Sequence, residues 1–195
     1  MKYFYKDIEL DIPDDVYYPR EDTEILAKTI EKGDLKNKEV LEIGCGSGLL
    51  SIIMAKAGAK VTSVDINPAS VKTTKLNAKK NKINISVLIS DLFENVKGKY
   101  DLIIFNPPYL PVGQDDPEDI TYSGGSSGRE IIERFIVYLK NYLKKNGRVL
   151  LVISSLTGEK ETVELFHSVG MKAKSVAREK IPWEELIIIE ALSEH

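Results

Sequence analysis

A doubly wound α/β sheet of seven mostly parallel strands, ending in an antiparallel hairpin, is the fold class that this 195-residue sequence predicts. Two observations carry it. Strand-like apolar runs and helix-like amphipathic runs take turns from residue 39 to residue 169, which implies parallel strands joined by crossover helices on both faces. The last two strand-like runs then follow one another with no helical segment between them, which implies an antiparallel pair at one edge. With 43% apolar and 29% charged residues the chain suits one core, so a single domain over 1–195 is expected, with residues 1–38 as a short extension.

Ahead of the sheet, Ile8, Leu10 and Ile12 alternate with acids and predict a short exposed strand. Asp22 and Thr23 are suited to cap a helix over "EILAKTIEK". The sheet begins with "EVLEIG", followed by the helix "LLSIIMAKAG", which Gly58 stops. Strand "KVTSVDI" leads to Asn67-Pro68, an N-cap with proline at the first helical position, and to a helix ending near Asn81. Strands "ISVLIS" and "YDLIIF" follow, then a helix from about Arg129 to Lys145, strand "RVLLVIS" and a helix from about Gly158 to Val169. "KAKSVARE" and "EELIIIEAL" form the closing pair.

A net charge of -3 and a pI near 5.6 argue against a broad grip on nucleic acid backbone. One cysteine and two histidines exclude an internal disulfide and a zinc site of ordinary ligand count. Acids in the first fifteen residues fit no signal peptide and no run approaches a membrane span, so a cytoplasmic protein without membrane contact is expected.

Ligands of doubly wound sheets sit beyond the carboxyl ends of the strands. After the first strand comes "EIGCGSG", in which Gly44, Gly46 and Gly48 allow close backbone approach and Glu42 supplies an acid. The spacing differs from the dinucleotide pattern, and an acid there suits an ammonium group better than a pyrophosphate. A plain packing role for the glycines is the alternative. Cys45 reads as a small packing residue, since no histidine stands near to activate it.

Asp65, after the second strand, suits the two hydroxyls of a ribose, or a helix cap. After the third strand, Asp91 suits an exocyclic amino group such as adenine N6, with Leu92 and Phe93 placed to pack on the base; a turn is the alternative. Ammonium, ribose and adenine sites in successive loops together describe an adenosyl amino acid without phosphates. This set resembles the class I methyltransferases that use S-adenosylmethionine and release S-adenosylhomocysteine. The resemblance implies that Glu42 serves the methionine end, Asp65 the ribose and Asp91 the adenine, and that the strand order is 3-2-1-4-5-7-6.

The fourth strand exits through Asn106, Pro107, Pro108 and Tyr109. Consecutive prolines hold that exit nearly rigid. A planar amide or aromatic amine donates its lone pair poorly, and the reacting nitrogen must meet a methyl group at roughly 3 Å. Accepting its two N–H bonds, one at the Asn106 side-chain oxygen and one at the Pro107 carbonyl, would orient it and favour the charge it develops. Tyr109 could lie against its plane, and Asn106 also borders the cofactor side.

That tetrapeptide is shared by enzymes acting on glutamine side chains and on adenine N6. "VYYPREDTEIL" and "SGGSSGREIIERF" resemble segments of the HemK/PrmC family in its short archaeal and eukaryotic branch. The resemblance implies methylation of the glutamine N5 in the Gly-Gly-Gln loop of class 1 translation release factors, with Thr23 touching the methionine end. It also implies a small zinc-binding activator subunit. Residues 83–90, with Ile83, Ile85, Val87 and Ile89 on one side, would then be the sheet edge that pairs with it. Residues Leu110 to Ser127 are expected to form a lid, with a slack linker as the alternative. Adenine N6 methylation of DNA or RNA is the rival enzymatic reading, and a cofactor-binding regulatory subunit without turnover is the rival of another class.

Overall fold

The computed structural model describes residues 1–108 and 129–193. The chain opens with an antiparallel ribbon, β1 (Lys2–Tyr5) and β2 (Ile8–Asp11). Neither its first strand nor its burial was expected: Ile8, Leu10 and Ile12 are 3%, 0% and 1% exposed. Burial needs the outer edge of β2 satisfied, and two asparagines one helical turn apart provide this. Asn77 accepts from the Asp11 amide at 2.9 Å and donates to its carbonyl at 3.1 Å, and Asn81 does the same for Glu9 at 3.2 and 2.9 Å.

Helix α1 (Glu21–Ile30) comes next, starting three residues earlier than expected. Asp22 and Thr23 therefore lie buried in its first turn, and the cap position is Arg20. The main sheet is then laid down as β3 (Glu39–Ile43), α2 (Leu49–Lys56), β4 (Lys60–Asp65), α3 (Pro68–Lys80), β5 (Ser86–Ile89) and β6 (Tyr100–Phe105). Asn67 caps α3 as expected, accepting from the Ala69 amide at 2.9 Å.

Helix α4 (Glu130–Leu139) is shorter than its sequence pattern. A 3₁₀ turn, Lys140–Tyr142, leads directly into β7 (Leu143–Ser154). Leu143 is spaced four residues from Leu139, as on a helix face, yet it reaches the core as a strand residue opposite Tyr100. Gly147 allows the crossing: a Cβ there would meet the Lys144 and Tyr100 carbonyl oxygens at 2.8 and 3.0 Å. Helix α5 (Glu159–Ser168), β8 (Met171–Ile181) and β9 (Glu184–Ser193) complete the described chain.

The sheet order is β5-β4-β3-β6-β7-β9-β8, with β9 antiparallel to both neighbours. Numbered within the sheet this is 3-2-1-4-5-7-6, the expected order. Helices α1 to α3 cover one face with Leu26, Ile52 and Met54 against Val40, Ile104 and Val152. Helices α4 and α5 cover the other with Phe135 and Phe166 against Ile103 and Leu151. Each fully buried side chain of this size contributes about 1.5–3 kcal/mol of hydrophobic stabilisation. The winding reverses between β3 and β6, so the crevice at their carboxyl ends is the natural ligand position.

Candidate active site

Four strand-end loops meet at that crevice. The first, residues 44–48, has positive φ at Gly44 (70°), Gly46 (49°) and Gly48 (84°), a conformation that side chains resist. The loop turns back on β4, with the Cys45 amide donating to the Val64 carbonyl at 3.0 Å. The Gly46 amide donates to Asp65 Oδ2 at 2.9 Å, and the Asn67 amide donates to Asp65 Oδ1 at 2.9 Å. Gly48 must be glycine for a second reason: a Cβ there would press on Thr74 at 3.0 Å. At Gly46 a Cβ would meet only Tyr17, at 3.8 Å, so that glycine leaves space instead of filling a contact.

Glu42 lies beneath the loop, 2% exposed, and accepts from the Ser51 hydroxyl, which in turn meets Ser63. Burial pushes its carboxyl up to about 8, against the Ser51 hydrogen bond, and the Asp65 charge adds to the rise. Burial also raises Asp65, opposed by the Gly46 and Asn67 amides and the Ser70 hydroxyl. Two carboxyl groups under a glycine loop would repel a pyrophosphate and favour a cationic ligand. Cys45 is 4% exposed with Val71 and Val87 around it, and burial pushes its thiol up, which removes it as a nucleophile.

Ahead of α1, the segment containing Tyr17 packs over Gly46, and the Tyr17 hydroxyl donates to Asp22 Oδ2 at 2.7 Å. Asp22 Oδ1 accepts from the Thr23 amide and hydroxyl, and both residues are buried. On the far side, the Ser90 amide donates to the Asp65 carbonyl at 3.0 Å and brings Asp91 alongside. Asp91 Oδ2 accepts from Arg134 of α4 at 2.8 Å. Leu92, with φ 46°, is 7% exposed. Phe93 belongs to the core instead of a base site, lying parallel to Tyr142 at 4.5 Å and to Phe135 at 5.6 Å.

The segment 106–108 after β6 adjoins the first loop. A Cβ at Gly44 would stand 3.5 Å from the Phe105 ring and 3.8 Å from the Asn106 carbonyl oxygen. Two buried side-chain oxygens lack a hydrogen-bond partner among the described residues, Asn106 Oδ1 and Glu184 Oε2. Pro107 is buried beside Asn106. Tyr109, the expected lid Leu110 to Ser127 and the "SGGSSG" stretch lie outside the described residues. Ser51, Ser63, Tyr17 and Arg134 were not anticipated; a lone serine inside the apolar run "LLSIIM" was the one available signal, because a buried hydroxyl needs a partner.

A seven-stranded sheet in this order, with an acid-and-glycine loop at its switch point, defines the Rossmann-like methyltransferase class. The methyltransferase small domain family matches residues 20–180. Over 189 residues the chain is 53% identical to a putative protein N5-glutamine methyltransferase of Methanocaldococcus jannaschii, covering 94% of this chain and 95% of that protein. It is 32% identical over 193 residues to methyltransferase HEMK2 of Homo sapiens, covering 90% and 88% of the two chains. Among solved structures it matches the E. cuniculi Mtq2-Trm112 complex, described as responsible for methylation of the eRF1 translation termination factor. That match has a TM-score of 0.76 at 27% identity and covers 91% of this chain and 98% of that one. The chain belongs to the methyltransferase small domain family.

Proposed function

We propose that this methyltransferase modifies the side-chain amide nitrogen, N5, of the glutamine in the Gly-Gly-Gln loop of a class 1 translation termination factor. The observation that carries the reading is the buried Asn106 Oδ1, which has no hydrogen-bond partner among the described residues, on a residue whose backbone carbonyl adjoins Gly44. A buried acceptor without a donor costs about 1–3 kcal/mol, and a bound –NH2 group would relieve it. The names of the Methanocaldococcus jannaschii relative and of the Mtq2-Trm112 complex support glutamine as the acceptor.

S-adenosylmethionine, when bound, supplies an electrophilic methyl group on a positively charged sulfur. The residues present fit it: carboxyl groups in place of phosphate-binding amides and cations, and a glycine cradle left open at Gly46. Asp65 would accept from the ribose hydroxyls while keeping its two backbone amides, since each carboxylate oxygen has a second lone pair. Asp91 has Oδ1 turned free of its Arg134 contact to accept from the adenine amino group, and Leu92 would border the ring. Glu42 would ionise against the cationic methionine end as the ligand binds, and Thr23 with the Tyr17 segment would close it from the amino-terminal side. On the acceptor side, Asn106 Oδ1 and the Pro107 carbonyl would take the two N–H bonds of the amide, with Pro108 fixing the loop and Tyr109 placed against the amide plane. No general base is required before transfer, because the nitrogen reacts while it still carries both protons; one is lost to solvent afterwards.

A zinc-binding activator subunit is the proposed partner, docking on the β5 edge. Val87 is buried on that strand while Ile89 is 50% exposed, and a groove of about 410 Å³ lined by Lys75, Lys79, Ile83 and Ile85 runs beside it. Among the described residues no helix is long and apolar enough to cross a membrane; a cytoplasmic setting is the one that termination-factor modification needs. The test offers labelled methyl donor with a termination factor, with and without the activator, against DNA and RNA. Label in the factor's Gly-Gly-Gln glutamine is the expected result; label in nucleic acid alone would overturn the reading.

A further inference from the structure

The turn between β8 and β9 stands at the same end of the sheet as the acceptor loop. Leu151 lies beside Phe105 on one side and opposite Ile189 on the other, and because β9 is antiparallel to β7 its amino-terminal end lies toward the site from there. Trp183 is six residues beyond Ile189 in that direction. At about 3.3 Å per residue the turn projects roughly 20 Å past the level of Phe105, and two strand spacings put it about 10 Å to the side.

Trp183 is the chain's one tryptophan and is 96% exposed. Its φ is 75°, at the position after Pro182 where a tight turn of this kind ordinarily holds glycine. The chain thus keeps its largest apolar side chain in water and in a backbone conformation that resists a side chain. Neither feature helps the fold, and strain of this sort gathers at functional positions. The neighbourhood is braced: the Ser155 amide donates to the Glu185 carbonyl at 2.8 Å, and the Glu185 amide donates to Ser155 Oγ at 3.0 Å. That brace sets Leu156, 65% exposed, beside the same hairpin. Of the charges next to the turn, Arg178 is engaged with Glu159 and Glu185, and Glu179 with Lys28, while Glu184 Oε2 has no partner among the described residues.

We infer that Trp183, with Leu156, is the docking contact for the folded body of the protein substrate. The inference rests on the glutamine reading given above. A glutamine side chain reaches only about 5 Å from its Cα to its nitrogen, so the backbone that delivers it lies at the mouth beside Asn106. A domain some 30 Å across behind that loop then meets a hairpin that stands proud of the mouth, whereas a short peptide does not. With Trp183 and Leu156 as the exposed apolar groups at this turn, the partner surface is an apolar pocket or a set of aliphatic stems, the usual counterpart of a tryptophan anchor.

The test uses the full chain with its tryptophan replaced by 5-fluorotryptophan, which gives a single fluorine resonance, together with Trp183→Gly. The resonance should move when a class 1 termination factor is added and stay in place when a Gly-Gly-Gln peptide is added. Trp183→Gly should raise KM for the factor about tenfold, equivalent to 1.4 kcal/mol, with kcat and peptide turnover unchanged. Its melting temperature should hold or rise, because glycine relieves the backbone. An unmoved resonance at saturating factor, or an unchanged KM, overturns the docking contact. Movement with activator alone, or with enzyme concentration, assigns Trp183 to another interface and overturns it equally. If the natural chain methylates neither factor nor peptide, the glutamine reading itself fails, and the docking contact with it.

Discussion

Asp65 Oδ2 accepts from the Gly46 amide at 2.9 Å, so the glycine loop and the last residue of β4 are held as one unit. The second oxygen holds the Asn67 amide at the same distance, just ahead of α3. A ribose bound at this carboxylate therefore feels the position of two loops and a helix start at once. Asp65→Asn sets an –NH2 group against one of those two amide donors. The substitution should lower stability by about 1–3 kcal/mol and weaken S-adenosylmethionine at least tenfold in titration calorimetry. An unchanged affinity would remove Asp65 from the site.

Glu42 makes stability depend on pH in a definite direction. Its carboxyl titrates near 4.5 in the unfolded chain and at about 8 in the folded protein. Below 4.5 both states hold the proton; between 4.5 and about 8 only the folded state does. Stability is therefore lost as pH rises through that window and levels off above it. Melting temperatures between pH 5 and pH 9 should fall for the natural chain and fall less for Glu42→Gln. A cationic ligand favours the ionised carboxylate, so S-adenosylmethionine binding near pH 7 should release a proton, read from the buffer dependence of the binding enthalpy. Glu42→Gln should abolish that release.

The glycines of the first loop should separate by phenotype. Alanine at Gly48 meets both a φ of 84° and Thr74 at 3.0 Å. At Gly46 it meets only a φ of 49°, with Tyr17 at 3.8 Å. Forcing a side chain into that backbone region costs about 1–2 kcal/mol by itself. Gly48→Ala should lose that amount and a steric increment beyond it, visible in denaturant unfolding. Gly46→Ala should stay near the backbone cost alone, yet weaken S-adenosylmethionine at least tenfold by filling the cradle.

What could be read from the sequence followed the range of the interactions. Strand and helix alternation is local, and it gave the sheet; Asn67-Pro68 is local, and it marked the start of α3. Strand β1 is not, because "KYFY" becomes a strand by pairing with β2, which is itself buried by Asn77 and Asn81 far along the chain. Leu143 was misassigned because spacing from Leu139 cannot reveal that Tyr100 waits opposite it. In the site, acids at strand ends were visible as residue types in loops. Their partners were not: Ser63 meets the Glu42 cluster only through the β3–β4 register, which sets Glu42 beside it, and Arg134 reaches Asp91 only because α4 packs on the loop after β5 through Phe135 and Phe93. Phe93 had the residue type of a base platform and the neighbours of a core residue.

In the proposed mechanism Asn106 joins stability and catalysis with opposite signs. Its Oδ1 is buried without a donor among the described residues, so Asn106→Ala removes an unsatisfied acceptor and should leave the melting temperature unchanged or slightly higher. Turnover should move the other way. An acceptor held against an N–H of the reacting amide acts most strongly as charge develops on the nitrogen, and deleting one fixed polar partner of this kind costs about 10²–10³ in kcat. Affinity for S-adenosylmethionine should shift by less than that. Asn106→Asp separates orientation from charge: it keeps an acceptor of the same shape, and near neutral pH its ionised form would also hold the amide. Transfer by Asn106→Asp should therefore exceed transfer by Asn106→Ala in single-turnover assays with saturating methyl donor. Equal, near-natural rates for both variants would show that the reacting nitrogen is held elsewhere.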